Sequence, residues 1–151
     1  MKVDTKAFGL IDIDEKQKVK IPKGLFGFEE FTDYVIFDAE QEPFYWFQST
    51  DLQEIAFILI NPFLFRKDYE VNISNDEQLE VGLTSPEDAM IFVIVTIPQD
   101  GGPMTANLQG PLVINKENMT AMQAIQTDKK WRTKHDIMEE WNRSESSPMG
   151  D

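Results

Sequence analysis

Residues Tyr34 to Ser49 read YVIFDAEQEPFYWFQS, and their pattern decides the fold. The two ends, Tyr34 to Ala39 and Phe44 to Ser49, are runs of aromatic and β-branched side chains of strand length. Between them Gln41-Glu42-Pro43 reads as a turn. Two more apolar runs follow, IAFILI (Ile55 to Ile60) and MIFVIVTI (Met90 to Ile97), the second stopped by Pro98. Continuous apolar runs this short predict strands buried on both faces. VKIP (Val19 to Pro22) and KVDTKAF (Lys2 to Phe8) alternate more weakly and read as outer strands. LVIN (Leu112 to Asn115) and MTAMQAIQ (Met119 to Gln126) make a last pair about a turn at Lys116 to Asn118, the second of ambiguous period.

Helical signal is sparse. SNDEQLEVGL predicts a short helix capped by Ser74 or Asn75, with acids in its first turn. TSPEDAM predicts one further turn with Pro86 at its first position. HDIMEEW (His135 to Trp141) predicts a terminal helix with Ile137, Met138 and Trp141 on one face. Many short strands separated by turns indicate a mostly β protein, an antiparallel barrel-like fold or sandwich with a few short helices. The length of 151 residues fits one domain, expected over residues 1–143. The polar SESSPMGD, residues 144–151, is expected to be a flexible tail.

Charge is the loudest feature of the composition. The formal net charge is -13, and between Gly24 and Asp100 sixteen acidic side chains face only Arg66 and Lys67. Such a chain repels phosphate backbones and anionic membrane surfaces, so neither direct nucleic-acid binding nor membrane binding is expected. It attracts basic proteins. No cysteine is present, which excludes disulfides, thiolate metal sites and thiol catalysis. The opening MKVDTKAFGL has no apolar core of the kind a signal peptide needs, and no apolar run approaches the ~20 residues that span a bilayer. A cytoplasmic address is the expectation.

Candidate chemistry is thin. His135 is the only histidine and sits among polar residues, where it reads as a solvated side chain near a helix start rather than part of a catalytic triad. DIDE (Asp12 to Glu15) lacks the ligand count and glycine of a calcium loop and reads as a solvated turn. No metal or cofactor is expected. An acidic β-barrel enzyme working with carboxylates alone is the alternative left open.

Two stretches stand out instead. GLFGFEEF (Gly24 to Phe31) has the glycines of a phosphate loop, but Glu29 and Glu30 would repel a phosphate. Gly24 and Gly27 permit positive φ, and Leu25, Phe26, Phe28 and Phe31 either fill a corner of the core or form an apolar surface. NLQGPLVIN (Asn107 to Asn115) breaks an apolar strand at Gly110-Pro111, which confines that point to an edge, a bulge or a strand start. Beside the glycine-rich QDGGPM loop, such an edge is either a plain edge protected by its proline or one that receives a strand or a helix from a partner.

In order and spacing, IPKGLFGFEEF, FYWFQSTDLQEIAFILINPFLFRKDY, VIVTIP and TANLQGPLVINKENMTAMQAI resemble the flagellar assembly factor FliW family, from about Lys2 to Lys134. The segment after His135 departs from it. The resemblance implies an all-β, barrel-like fold without catalysis. It implies binding of flagellin near the C-terminal region of that subunit, in the cytoplasm. It also implies antagonism of the RNA-binding translational regulator CsrA, as alternative partners of one switch. Gly24, Phe26, Phe28, Glu29, Glu30, Asn107, Leu108 and Pro111 are then the candidate partner-binding residues, on a monomer or weak dimer.

Overall fold

The computed structural model describes residues 1–146. The strands, in chain order, are β1 (Lys2–Thr5), β2 (Gly9–Asp12), β3 (Lys18–Lys20), β4 (Asp33–Asp38), β5 (Tyr45–Ser49) and β6 (Ala56–Ile60). They continue with β7 (Ala89–Thr96), β8 (Thr105–Ala106), β9 (Leu112–Asn115), β10 (Ala121–Gln123) and β11 (His135–Asp136). Two α-helices, α1 (Asn75–Glu80) and α2 (Ile137–Ser146), and three short 3-10 turns complete the chain.

Every strand expected from an apolar run is present. β1 and β2 form a separate hairpin. The other nine strands make one antiparallel sheet in the order β10-β9-β7-β6-β5-β4-β3, with β8 and β11 branching from the C-terminal half of β7. β7 reaches two partners because it is long: Ala89 to Phe92 pair with β9, and Val95 and Thr96 pair with β8.

The sheet curls but does not close, so "barrel-like" describes it only loosely. Its two ends, β3 and β10, meet at a single parallel bridge, Lys20 to Thr120, with the Lys20 amide donating to the Met119 carbonyl at 3.0 Å. The Lys18–Lys20 strand is too short to make a ladder with β10.

Strand alternation sorts the apolar side chains into an inner and several outer cores. Val19, Tyr34, Phe47, Leu59, Phe92, Leu112 and Ile114 point inward and pack together. The intervening residues point outward and are covered piece by piece. The β1–β2 hairpin covers Val35 and Phe37 with Val3 and Ile13. The α1 segment covers Val113 and Met122 with Val81 and Leu83. Phe65, Tyr69, Trp131 and Ile137 cover Ile60, Val93 and Val95. This double burial is why the central strands carry unbroken apolar runs.

The helices follow their local signals. Ser74 caps α1 in a reciprocal capping box with Glu77, and Pro86 opens its 3-10 turn as expected. The terminal helix differs in two ways. His135 and Asp136 are strand rather than helix, pairing with Ala106 and Thr105. The face of α2 that packs inward is Ile137, Glu140 and Trp141, whereas Met138 is exposed. α2 runs to Ser146, so it takes in the first residues of the expected tail; residues 147–151 lie outside the described residues. Among the described residues no helix is long and apolar enough to cross a membrane.

Candidate partner-binding groove

The GLFGFEEF stretch is a pair of tight turns. The Phe28 amide donates to the Leu25 carbonyl at 2.8 Å, and Gly27 supplies, with φ 87°, the positive φ that the third position of a type II turn requires. Gly24, at φ 69°, has a stronger reason to be glycine. A Cβ there would lie 2.6 Å from the Glu29 Cα and 2.7 Å from the Phe28 carbonyl oxygen. The chain folds back on itself so closely that no side chain fits.

The turn lifts two rings to the surface. Phe26 is 53% exposed, and Phe28 is 37% exposed while its edge meets the Phe57 ring at 5.1 Å. Leu25 goes fully into the inner core. Glu29 and Glu30 are exposed beside them, and Glu29 Oε2 accepts from the Gly27 amide at 3.2 Å.

NLQGP forms the facing wall. Asn107 Oδ1 accepts from the Gln109 and Gly110 amides at 3.0 and 2.9 Å, which curls the loop. The Leu108 carbonyl accepts from the Tyr69 hydroxyl at 2.6 Å, and the Leu108 amide donates to the Arg132 carbonyl at 3.0 Å. Hydrogen bonded on several sides, the loop is a rigid wall.

The two stretches, far apart in sequence, are joined by a residue in neither of them. Gln123, on β10, accepts from the Phe26 amide through Oε1 at 2.9 Å and donates from Nε2 to the Gly110 carbonyl at 3.0 Å. Only one orientation of the side-chain amide satisfies both groups. A Cβ at Gly110 would fall 2.9 Å from Gln123 Nε2, so a larger residue there would push this side-chain amide from its place.

Between the walls lies an open groove of about 640 Å³. Its apolar surface comes from Phe26, Phe28, Phe57, Ile94 and Ile125, the last 57% exposed. It opens on the inner face of the sheet, where Phe57, Ile94 and Thr96 extend past the covered core.

The structure thus places the sequence candidates unequally. Phe26 and Phe28 line the groove, as does the half-buried Asn107, while Glu29 and Glu30 flank it. Gly24, Leu108 and Pro111 are buried and shape the walls without offering a surface; Leu108 is part of the outer core under Trp131. Sequence reasoning missed Gln123 and Ile125. The signal was present: strict alternation along β10 and the residues after it puts Met122 and Ala124 on the outer face, under the α1 segment, and Gln123 and Ile125 on the inner face where the groove opens.

A second polar cluster overturns the reading of His135. The ring is 2% exposed, far from the solvated side chain expected. Nε2 accepts from the Arg132 amide at 2.9 Å, so the proton sits on Nδ1, 2.9 Å from Glu140 Oε1. Glu140 is also paired with Arg66, whose guanidinium holds Asp68 in a fork at 2.9 and 2.8 Å and lies over the Trp131 ring. Hydrogen bonding to Asp68, reinforced by the Glu140 charge, pushes Arg66 further toward its charged form, and Arg66 holds the Asp68 carboxyl below its ordinary range. This network ties α2 to the segment after β6. Glu140 is the only buried carboxylate among the described residues. Nor do three metal-ligating side chains come together among them.

Comparison with known proteins agrees with the fold. The sequence matches the FliW protein family over residues 2–137. It is 51% identical over 142 residues to the flagellar assembly factor FliW of Treponema denticola, covering 94% of this chain and 97% of that one. It is 44% identical to the protein of the same name from Leptospira biflexa, over 97% of each chain. A crystal structure of the flagellar assembly factor FliW superposes with a TM-score of 0.82 at 34% identity, covering 91% of this chain and 96% of that chain. With the family model matched over most of the chain, and the fold and length in common with its relatives, the chain belongs to the FliW family of flagellar assembly factors.

Proposed function

We propose that this chain binds flagellin in the cytoplasm before export, holding an amphipathic segment of the subunit's C-terminal region in the groove between the Phe26–Phe28 turn and the Asn107–Gly110 loop. The observation that carries this reading is the groove itself, which exposes Phe26, Phe28 and Ile125 on a rigid frame. Rings and aliphatic side chains set in pockets are the anchors that recognise one face of an amphipathic helix. Bound flagellin is kept from premature assembly, a chaperone's role without catalysis.

The acidic surface supports a second partner. CsrA presents basic surface to RNA, and a chain of formal net charge -13 steers such a surface toward itself. Flagellin and CsrA then compete for one protein, acting as a monomer or weak dimer, and translation of flagellin follows the free flagellin level. No observation favours the carboxylate-enzyme alternative, since Glu140 is committed to Arg66 and His135. Replacing Phe26 and Ile125 together with Asp tests the groove. Flagellin affinity measured by calorimetry falls at least about tenfold while the melting temperature holds. Affinity within twofold of the parent refutes this use of the groove.

A further inference from the structure

The groove has an electrical direction. The only charged side chain lining it is Lys134, which makes no ion pair among the described residues. Glu29 and Glu30 stand beside Phe28 at the other wall.

Strand register separates the two. The Phe28 ring sits on Phe57 of β6. From β6 the sheet continues through β7 and β8 to β11, by way of the rows Ile58–Val95–Ala106–His135 and Leu59–Ile94. The Asn107 amide donates to the Ile94 carbonyl at 3.0 Å, extending the second row to Asn107 and, by the same register, to Lys134. Three strand spacings therefore lie between the turn and Lys134, roughly 14 Å. That distance is about nine residues of α-helix.

We infer that the groove takes the C-terminal end of an amphipathic helix in one orientation, its terminal carboxylate at the Lys134 ammonium and its upstream end toward Glu29 and Glu30. An α-helix carries partial negative charge at its C-terminus and partial positive charge at its N-terminus. This orientation matches both ends, and the reverse opposes both. A free carboxylate adds to the dipole at the end where the single cation stands. The apolar floor supplies affinity, and the end charges select polarity.

The inference rests on the reading of the groove as the flagellin surface, so the test separates the two. The probes are synthetic peptides copying the last ~20 residues of the cognate flagellin, one a free acid and one a C-terminal amide, with intact flagellin titrated in parallel. The proteins are the parent chain, Lys134→Gln and Lys134→Arg. Lys134 is exposed, so neither variant disturbs the core. The free acid binds the parent about two- to fivefold more tightly than the amide at low salt. The difference persists in Lys134→Arg and vanishes in Lys134→Gln. Equal affinity of acid and amide for the parent overturns the inference alone. So does failure of both peptides where intact flagellin binds. Failure of intact flagellin as well refutes the groove reading and this inference with it.

Discussion

Replacing Gln123 with Ala removes a side chain that ties the two walls of the groove together. Two hydrogen bonds are lost, to the Phe26 amide at 2.9 Å and to the Gly110 carbonyl at 3.0 Å. Each contributes about 1 kcal/mol to stability. The two orphaned groups differ. The Phe26 amide lies on an exposed turn, where water replaces the lost partner. Gly110 is buried, so its carbonyl bears a desolvation cost of about 1–3 kcal/mol. The expected loss is therefore about 2–4 kcal/mol, read as a lower urea midpoint at unchanged slope. Gln123→Glu refines the test. Its carboxylate still accepts from the Phe26 amide but turns an acceptor toward the Gly110 carbonyl, so it falls at least as far as Ala. A change below about 0.5 kcal/mol in both variants, the range of ordinary surface substitutions, refutes the role given to Gln123.

Three further outcomes follow from other parts of the molecule. Glu140→Ala strands Arg66 and His135 without their shared carboxylate and costs about 3 kcal/mol, with Asp68 retaining part of the Arg66 charge; urea unfolding together with the near-ultraviolet signal of Trp141 reads it, and an unchanged midpoint contradicts the network. Tyr34 is buried, with its hydroxyl unpartnered among the described residues, and burial followed by the Asp51 charge pushes it up to about 12. The unfolded chain loses this proton near pH 10 and the folded chain keeps it, so stability is full below about pH 10 and declines as pH rises toward about 12. Tyr34→Phe flattens that decline without loss at neutral pH, and a loss above about 1 kcal/mol at neutral pH would show that the hydroxyl has a partner. Glu29→Lys with Glu30→Lys weakens CsrA binding more at low salt than at high salt; equal affinity at both salts places these acids outside that interface.

The strands were legible because double burial leaves unbroken apolar runs, as in Ile55 to Ile60 and Met90 to Ile97. The curl of the sheet was legible, but its failure to close was not. Closure depends on how far β3 and β10 pair, which no side-chain pattern records. The two turn stretches announced themselves through Gly24, Gly27 and Gly110-Pro111, residues that local backbone geometry demands. Which of their neighbours face outward was decided by packing. Phe26 and Leu25 are adjacent and equally apolar, yet one is exposed and the other fully buried. Leu108 was misjudged for the same reason. His135 was misread because its polar neighbours suggested solvent. The shell around it comes from Trp131 and Arg132, just before β11, and from Glu140 on α2, residues that neighbour one another only in the fold.

The central claim is that this FliW-family chain holds flagellin by its C-terminal region. The most direct measurement is a calorimetric titration of the purified chain against full-length monomeric flagellin and against flagellin lacking its C-terminal segment, at two salt concentrations. The account predicts a 1:1 complex with the full-length subunit and no heat with the truncated one. Equal binding of both subunits, or of neither, contradicts it.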